Sequence, residues 1–185
     1  MTRPNVVPTR RWVAAFVVLL CVGATPAQGD FCGRVVNVHD GDTVTVLSGG
    51  VERRVRLVGI DAPERGQPHA TAARRGLAAR VAGRDVKVIE RGADSYGRTL
   101  GRVLVADVDA NAAQVRDGHA WVFRRFENDP SLIALEGEAK SARRGLWRDP
   151  DPVPPWVWRE RHPPKPAPRG VSSAAATTPA QGERR

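Results

Sequence analysis

From Arg34 to Ile60 the chain reads as three β-strands in a row with no helix between them, and this run limits the possible architecture most. Residues 34–38 and 43–47 are rich in β-branched side chains and alternate in part. Ser48-Gly49-Gly50 supplies a turn, and Val51 to Ile60 a third strand. The period then changes. Ala73, Leu77 and Val81 recur every four residues, which predicts an amphipathic helix opening near Gln67-Pro68 and ending at Gly83. Residues 85–90 alternate again as a fourth strand, and a loop over 91–98 leads to a fifth at 100–105. A doubly wound parallel sheet fits worse, because the first three strands follow one another without crossover helices. A small barrel closed on itself fits them.

Two more helices are expected beyond the fifth strand. Asp109 can cap one that ends at Gly118, in which Gln114 stands where an apolar residue would fit better. Asp129-Pro130 starts another, with Leu135, Ala139, Ala142 and Leu146 on one face. Residues 149–168 are dense in proline and include Trp156 and Trp158, as expected for an irregular extension packed over the domain. Residues 169–185 form a Ser/Ala/Thr/Pro tail without apolar period, expected to be disordered.

At the other end, Arg3, Arg10 and Arg11 precede an apolar run from Trp12 to Ala24. That run is too short to span a bilayer and suits the core of a secretory signal cleaved after Ala27; an uncleaved anchor is the alternative. The organisation is therefore a signal peptide over 1–27, the folded domain over 28–148, the extension and the tail. A secreted or periplasmic protein without stable membrane association follows. Cleavage leaves Cys32 as the sole thiol, so no intramolecular disulfide forms; beside Phe31 at a strand start it reads as small apolar filler.

The formal charge of +9 is concentrated at these two ends. More telling is the type of cation, since Lys87, Lys140 and Lys165 are the only lysines and every other basic residue is arginine. Arginine grips phosphate with a rigid fork.

Two strings carry the chemistry: Asp40-Gly41-Asp42-Thr43, and Arg56-Leu57-Val58-Gly59-Ile60-Asp61-Ala62-Pro63-Glu64. Each sets carboxylates where an extended segment meets a turn. Converging carboxylates repel one another unless a cation joins them, so they suit a hard metal ion with oxygen ligands, with the arginine aimed at an anion. That points to phosphate-ester chemistry. Arg56 and Asp61 are five residues apart, an odd offset that a regular strand would place on opposite faces. If both serve one site the strand has to bend, and Gly59 is the natural place.

Together with Asp94-Ser95-Tyr96-Gly97-Arg98, Ala110-Asn111, Val115-Arg116-Asp117-Gly118 and Gly145-Leu146-Trp147, these strings make residues 33–147 resemble the staphylococcal nuclease family. The resemblance implies a mainly β fold with α-helices: a five-stranded oligonucleotide/oligosaccharide-binding (OB) barrel with three helices. It implies Asp42, Asp61 and the carbonyl of Ala62 as ligands of one calcium ion, with alanine where the family commonly has threonine. Glu64 would activate or position water, the rival reading being a helix-start acid. Arg56 and Arg98 would hold the scissile phosphate, an ordinary salt bridge being the rival for Arg98. Asp40 would be a supporting residue or an Asx-turn former. Tyr96 and Phe126 would contact the nucleotide, whereas Trp121 and Phe123 could equally be core; Ser95 and Arg124 depart from residues seen in relatives. His39, His69 and His119 lack metal-ligand spacing.

The implied activity is a sugar-nonspecific nuclease, monomeric, acting on DNA and RNA by 5′ P–O cleavage that leaves 3′-phosphates. A noncatalytic nucleic-acid-binding barrel and a calcium-independent nuclease of the same family are the alternatives.

Overall fold

A computed structural model describes residues 29–125 and 128–163. The expected signal peptide, the expected tail and Phe126 lie outside the described residues.

Five strands form the barrel: β1 (Phe31–Val38), β2 (Thr43–Ser48), β3 (Val51–Leu57), β5 (Asp85–Ala93) and β6 (Thr99–Val105). The spatial order is β3-β2-β1-β5-β6, and a parallel pairing of β3 with β6 closes it, with Val55 opposite Thr99 and Leu57 opposite Gly101. Closure requires curvature. Register shifts supply it in β1 between Val35 and Asn37, and between β5 and β6 over Glu90 to Ala93. Val44, Val46, Val55, Leu57, Val88 and Val103 fill the interior and are essentially inaccessible to solvent. Each such side chain contributes about 1.5–3 kcal/mol.

The long third strand expected from sequence is interrupted. β3 stops at Leu57, Gly59 takes φ 80°, and a two-residue β4 (Ile60–Asp61) leaves the barrel to pair with β8 (Trp121–Val122). The irregularity therefore falls at Gly59, a backbone conformation that glycine adopts without steric cost. A short β7 (Val108–Asp109) pairs with the end of β6.

Helix α1 (Ala70–Val81) buries Ala73, Leu77 and Val81 as their spacing requires. Asp109 caps α2 (Ala110–Arg116) by accepting from the Asn111 and Ala112 amides, and Asp129 caps α3 (Pro130–Ser141) through Ser131. The face expected for α3 is only partly right. The helix ends at Ser141, Ala142 is exposed, and Leu146 is buried from a separate 3-10 turn over Gly145–Leu146–Trp147–Arg148. Positive φ at Arg143 and Gly145 ends the α-helical path. Leu132, Glu136 and Ala139 form the buried row instead.

The proline-rich extension also differs from expectation. Pro155–Arg161 forms a fourth helix, α4, opening on two prolines that suit a first helical turn. Cys32 is exposed rather than buried filler, because Phe31 and Gly33 take the inward-leaning positions of β1 and turn Cys32 outward. Among the described residues no helix is long and apolar enough to cross a membrane.

Candidate active site

The site forms at one end of the barrel, where β2, β3 and β6 converge. Thr43 pairs with Arg56 across β2 and β3, and the Leu57 amide donates to the Asp42 carbonyl at 2.8 Å. This fixes the Asp40–Asp42 turn beside Arg56. The Asp40 side chain accepts from the Asp42 amide at 3.0 Å, so Asp40 is an Asx-turn former. The Gly41 backbone packs so tightly that a Cβ there would lie 2.6 Å from that of Ala62 and 2.8 Å from that of Ala73.

Two buried amides hold this end in shape. Gln114, the polar interruption of α2, donates from Nε2 to the Gly41 carbonyl at 2.8 Å and the Ala73 carbonyl at 3.0 Å. Asn111 donates to the Val58 and Gly101 carbonyls and accepts from the Val103 amide. The first ties the carboxylate turn to α1, the second ties the approach to Gly59 to β6. Both side chains are fully buried; Asn111 is bonded through both its oxygen and its nitrogen, whereas Gln114 is bonded through Nε2 alone and its Oε1 has no hydrogen-bond partner among the described residues.

Asp42 and Asp61 are buried and share one guanidinium. Arg56 Nη1 is 2.9 Å from Asp42 Oδ2, and Nη2 is 2.7 Å from Asp61 Oδ1. Asp42 also accepts from the Ala62 amide at 2.6 Å and the Thr43 hydroxyl at 3.1 Å. Burial pushes the Asp42 carboxyl up to about 8; Arg56 opposes this, while the charges of Asp40 and Asp61 add to it. A carboxylate so placed gains from a further cation. Among the described residues no cluster of three or more His, Cys, Asp or Glu could hold a metal. Asp42 and Asp61 are hard oxygen donors of the kind calcium accepts, a set that a backbone carbonyl and water would complete.

Glu64 follows in the turn after β4, with its amide bonded to Gln67 Oε1 at 2.9 Å. It is not at a helix start, since α1 begins only at Ala70. Its carboxylate, about two-fifths exposed, meets Arg159 of α4: Nη1 lies 2.6 Å from Glu64 Oε1 and Nη2 2.8 Å from Asp61 Oδ2. Partial burial works against the charge of Arg159, but its hydrogen bonds to Asp61 and Glu64 hold the guanidinium above its ordinary pKa. Arg159 escaped the sequence reading, since it and Arg161 in a proline-rich extension carry no motif.

Arg98 lines the same groove of about 1480 Å³ as Asp42, Arg56, Asp61 and Glu64. Its Nε donates to Asp94 Oδ2 at 2.7 Å, so it makes a salt bridge, not a direct contact with the acidic trio. Asp94 also accepts from the Arg98 and Tyr96 amides. These bonds hold its carboxyl below the usual range despite the opposing effect of burial. Tyr96 is 84 % exposed on the groove, with the Arg98 guanidinium 5.5 Å from its ring centre. Trp121 is buried against Trp147, whereas Phe123 lines the groove and stacks on Trp156 of α4 at 5.6 Å. His69 and His119 hydrogen-bond to each other away from this groove.

The family described as staphylococcal nuclease homologue matches residues 54–149. Asp42 lies upstream of that stretch and Arg159 downstream. An uncharacterized endonuclease of Escherichia coli O157:H7 is 46% identical over 133 residues, covering 71% of this chain and 87% of that protein. A micrococcal nuclease of Shigella flexneri is 42% identical over 161 residues, covering 80% and 91%. A probable staphylococcal-like nuclease of Oryza sativa subsp. japonica, CAN3, is 36% identical over 106 residues, 57% of this chain and 28% of that protein. The chain belongs to the staphylococcal nuclease family and is a hydrolase of the endonuclease class.

Proposed function

We propose that this protein is an exported, calcium-assisted and sugar-nonspecific endonuclease that hydrolyses phosphodiesters of DNA and RNA. The observation that carries this reading is the single guanidinium of Arg56 spanning buried Asp42 and Asp61, with Glu64 and Arg98 on the same groove. Asp42, Asp61 and the Ala62 carbonyl would hold the ion. Bound there, calcium supplies positive charge to the phosphate oxygens and makes water a better nucleophile.

The protein's own groups do the rest. Glu64 orients a water and accepts its proton as the water oxygen bonds to phosphorus. The P–O5′ bond breaks in line, the 5′ oxygen takes a proton from solvent, and a 3′-phosphate remains. Arg56 and Arg98 present preorganised donors to the oxygens on which charge accumulates. Exposed Tyr96 gives a base a ring face, and a site that reads backbone and stacking selects little sequence. Such a groove favours single-stranded or frayed substrate, acted on by a monomer outside the cytoplasm.

A noncatalytic barrel would be expected to have lost carboxylates or arginines, and Asp42, Asp61, Glu64, Arg56 and Arg98 are all present. Incubating the purified protein with plasmid and RNA, in calcium or in a chelator, tests the proposal. Calcium-dependent cleavage with 3′-phosphate ends supports it. Cleavage that persists in chelator removes calcium, and binding without cleavage removes the enzyme reading.

A further inference from the structure

Arg159 engages both oxygens of the carboxylate that the calcium reading needs. Its Nη1 approaches Asp61 Oδ1 at 3.3 Å and its Nη2 approaches Oδ2 at 2.8 Å, while Arg56 shares Oδ1. Asp61 is 1% exposed, so these two guanidiniums supply its charge compensation in place of water. The same Arg159 fork reaches Glu64 Oε1, an oxygen of the carboxylate that would take the water proton. One side chain from the C-terminal helix thus lies between the carboxylate that would hold the ion and the one that would take the proton.

The anchoring of α4 does not depend on that contact. Gln67 Nε2 donates to the Val153 carbonyl at 2.6 Å, Pro155 is buried, and Trp156 stacks on Phe123. Gln67 also fixes the Glu64 amide, so the helix approach and the Glu64 turn hang on one buried side chain. Arg159 itself keeps 43% of its side chain exposed. It can leave Asp61 by rotating its own torsions, with Trp156 and the core in place. A divalent ion and a guanidinium both need the Asp61 oxygens, and like charges crowded on one carboxylate repel.

We propose that Arg159 is a resident counter-ion of the metal site, which calcium has to displace from Asp61 and Glu64 before the site can act. This rests on the calcium reading of the same carboxylates. The helix then sets how much calcium the protein requires, because a ligand that competes with a built-in contact binds with an affinity scaled down to the fraction of molecules in which that contact is open.

Two binding measurements on the full chain test this without turnover. Calorimetric titration with calcium alone should give an affinity at least about tenfold tighter for Arg159→Ala than for the wild type. Arginine side-chain NMR, with the Arg159 signal assigned by its loss in Arg159→Lys, should show a restricted guanidinium in chelator that becomes mobile in saturating calcium. This second readout needs no destabilised variant. Equal or weaker calcium affinity in Arg159→Ala, or an Arg159 guanidinium still restricted at saturation, overturns the counter-ion role while leaving the calcium site standing. Binding of calcium by neither protein overturns both.

Discussion

Arg56 Nη2 donates to Asp61 Oδ1 at 2.7 Å while its other terminal nitrogen lies 2.9 Å from Asp42 Oδ2, so one planar fork links two buried carboxylates, one in the turn before β2 and one in β4. A lysine offers a single ammonium and cannot span both. Arg56→Lys and Arg56→Ala should each lower kcat about a hundredfold or more, in the range seen when one preorganised donor is lost. Initial rates on single-stranded DNA measure this, and a lysine variant with near wild-type kcat would show that the bridge is dispensable.

Gly59 at φ 80° re-aims the chain so that Asp61 returns to the Arg56 side. A Cβ at such an angle costs about 1–2 kcal/mol. Gly59→Val should lower the thermal midpoint and cut activity more than its stability loss explains, because Asp61 moves with the turn. Circular dichroism melts beside cleavage rates separate the two effects.

Gln114 spends its amide on the carbonyls of Gly41 and Ala73. Gln114→Leu leaves those buried carbonyls without that donor, at a cost of about 1–3 kcal/mol. The helix α2 should remain, while the Asp40–Asp42 turn loosens. Hydrogen exchange is expected to rise at residues 40–43 and hardly at all in β5; uniform change would argue against a local role.

Glu136 of α3 is 2% exposed and accepts from Lys140, the Val122 amide and Arg124 at 2.8, 2.9 and 3.0 Å. Burial alone would raise its pKa, but these donors hold it below the ordinary value. A folded-state pKa below the unfolded one gives stability that is present above the normal glutamate range and lost as pH falls through the folded value. Near neutrality Glu136→Gln should be less stable by about 1–3 kcal/mol. Denaturant melts from about pH 6 to about pH 3 should show that gap closing as acid is added. A gap that widens in acid would reverse the sign.

The barrel was legible because its signals are local: β-branched runs, a turn at Gly49-Gly50, and a period-four row at Ala73, Leu77 and Val81 all agree with the tertiary result. The bend at Gly59 was legible for a different reason, since the chemistry required Arg56 and Asp61 together and a straight strand forbade it. What escaped depends on contacts distant in sequence. Gln114 looked like a misfit until Gly41 and Ala73 arrived as its acceptors. Glu136 took a core position because Arg124 and Lys140 accompany it. α4 was hidden by the prolines around it, and Arg159 finds Asp61 and Glu64 across 98 and 95 residues of chain.

The most direct measurement is the initial rate of single-stranded DNA cleavage in calcium by the wild type, Glu64→Gln and Arg98→Ala, each verified as folded. Each variant should lose at least about tenfold in kcat, with unchanged melting profiles. Wild-type rates in both folded variants would contradict this, because cleavage would then be taking place without the glutamate and the second guanidinium on this groove.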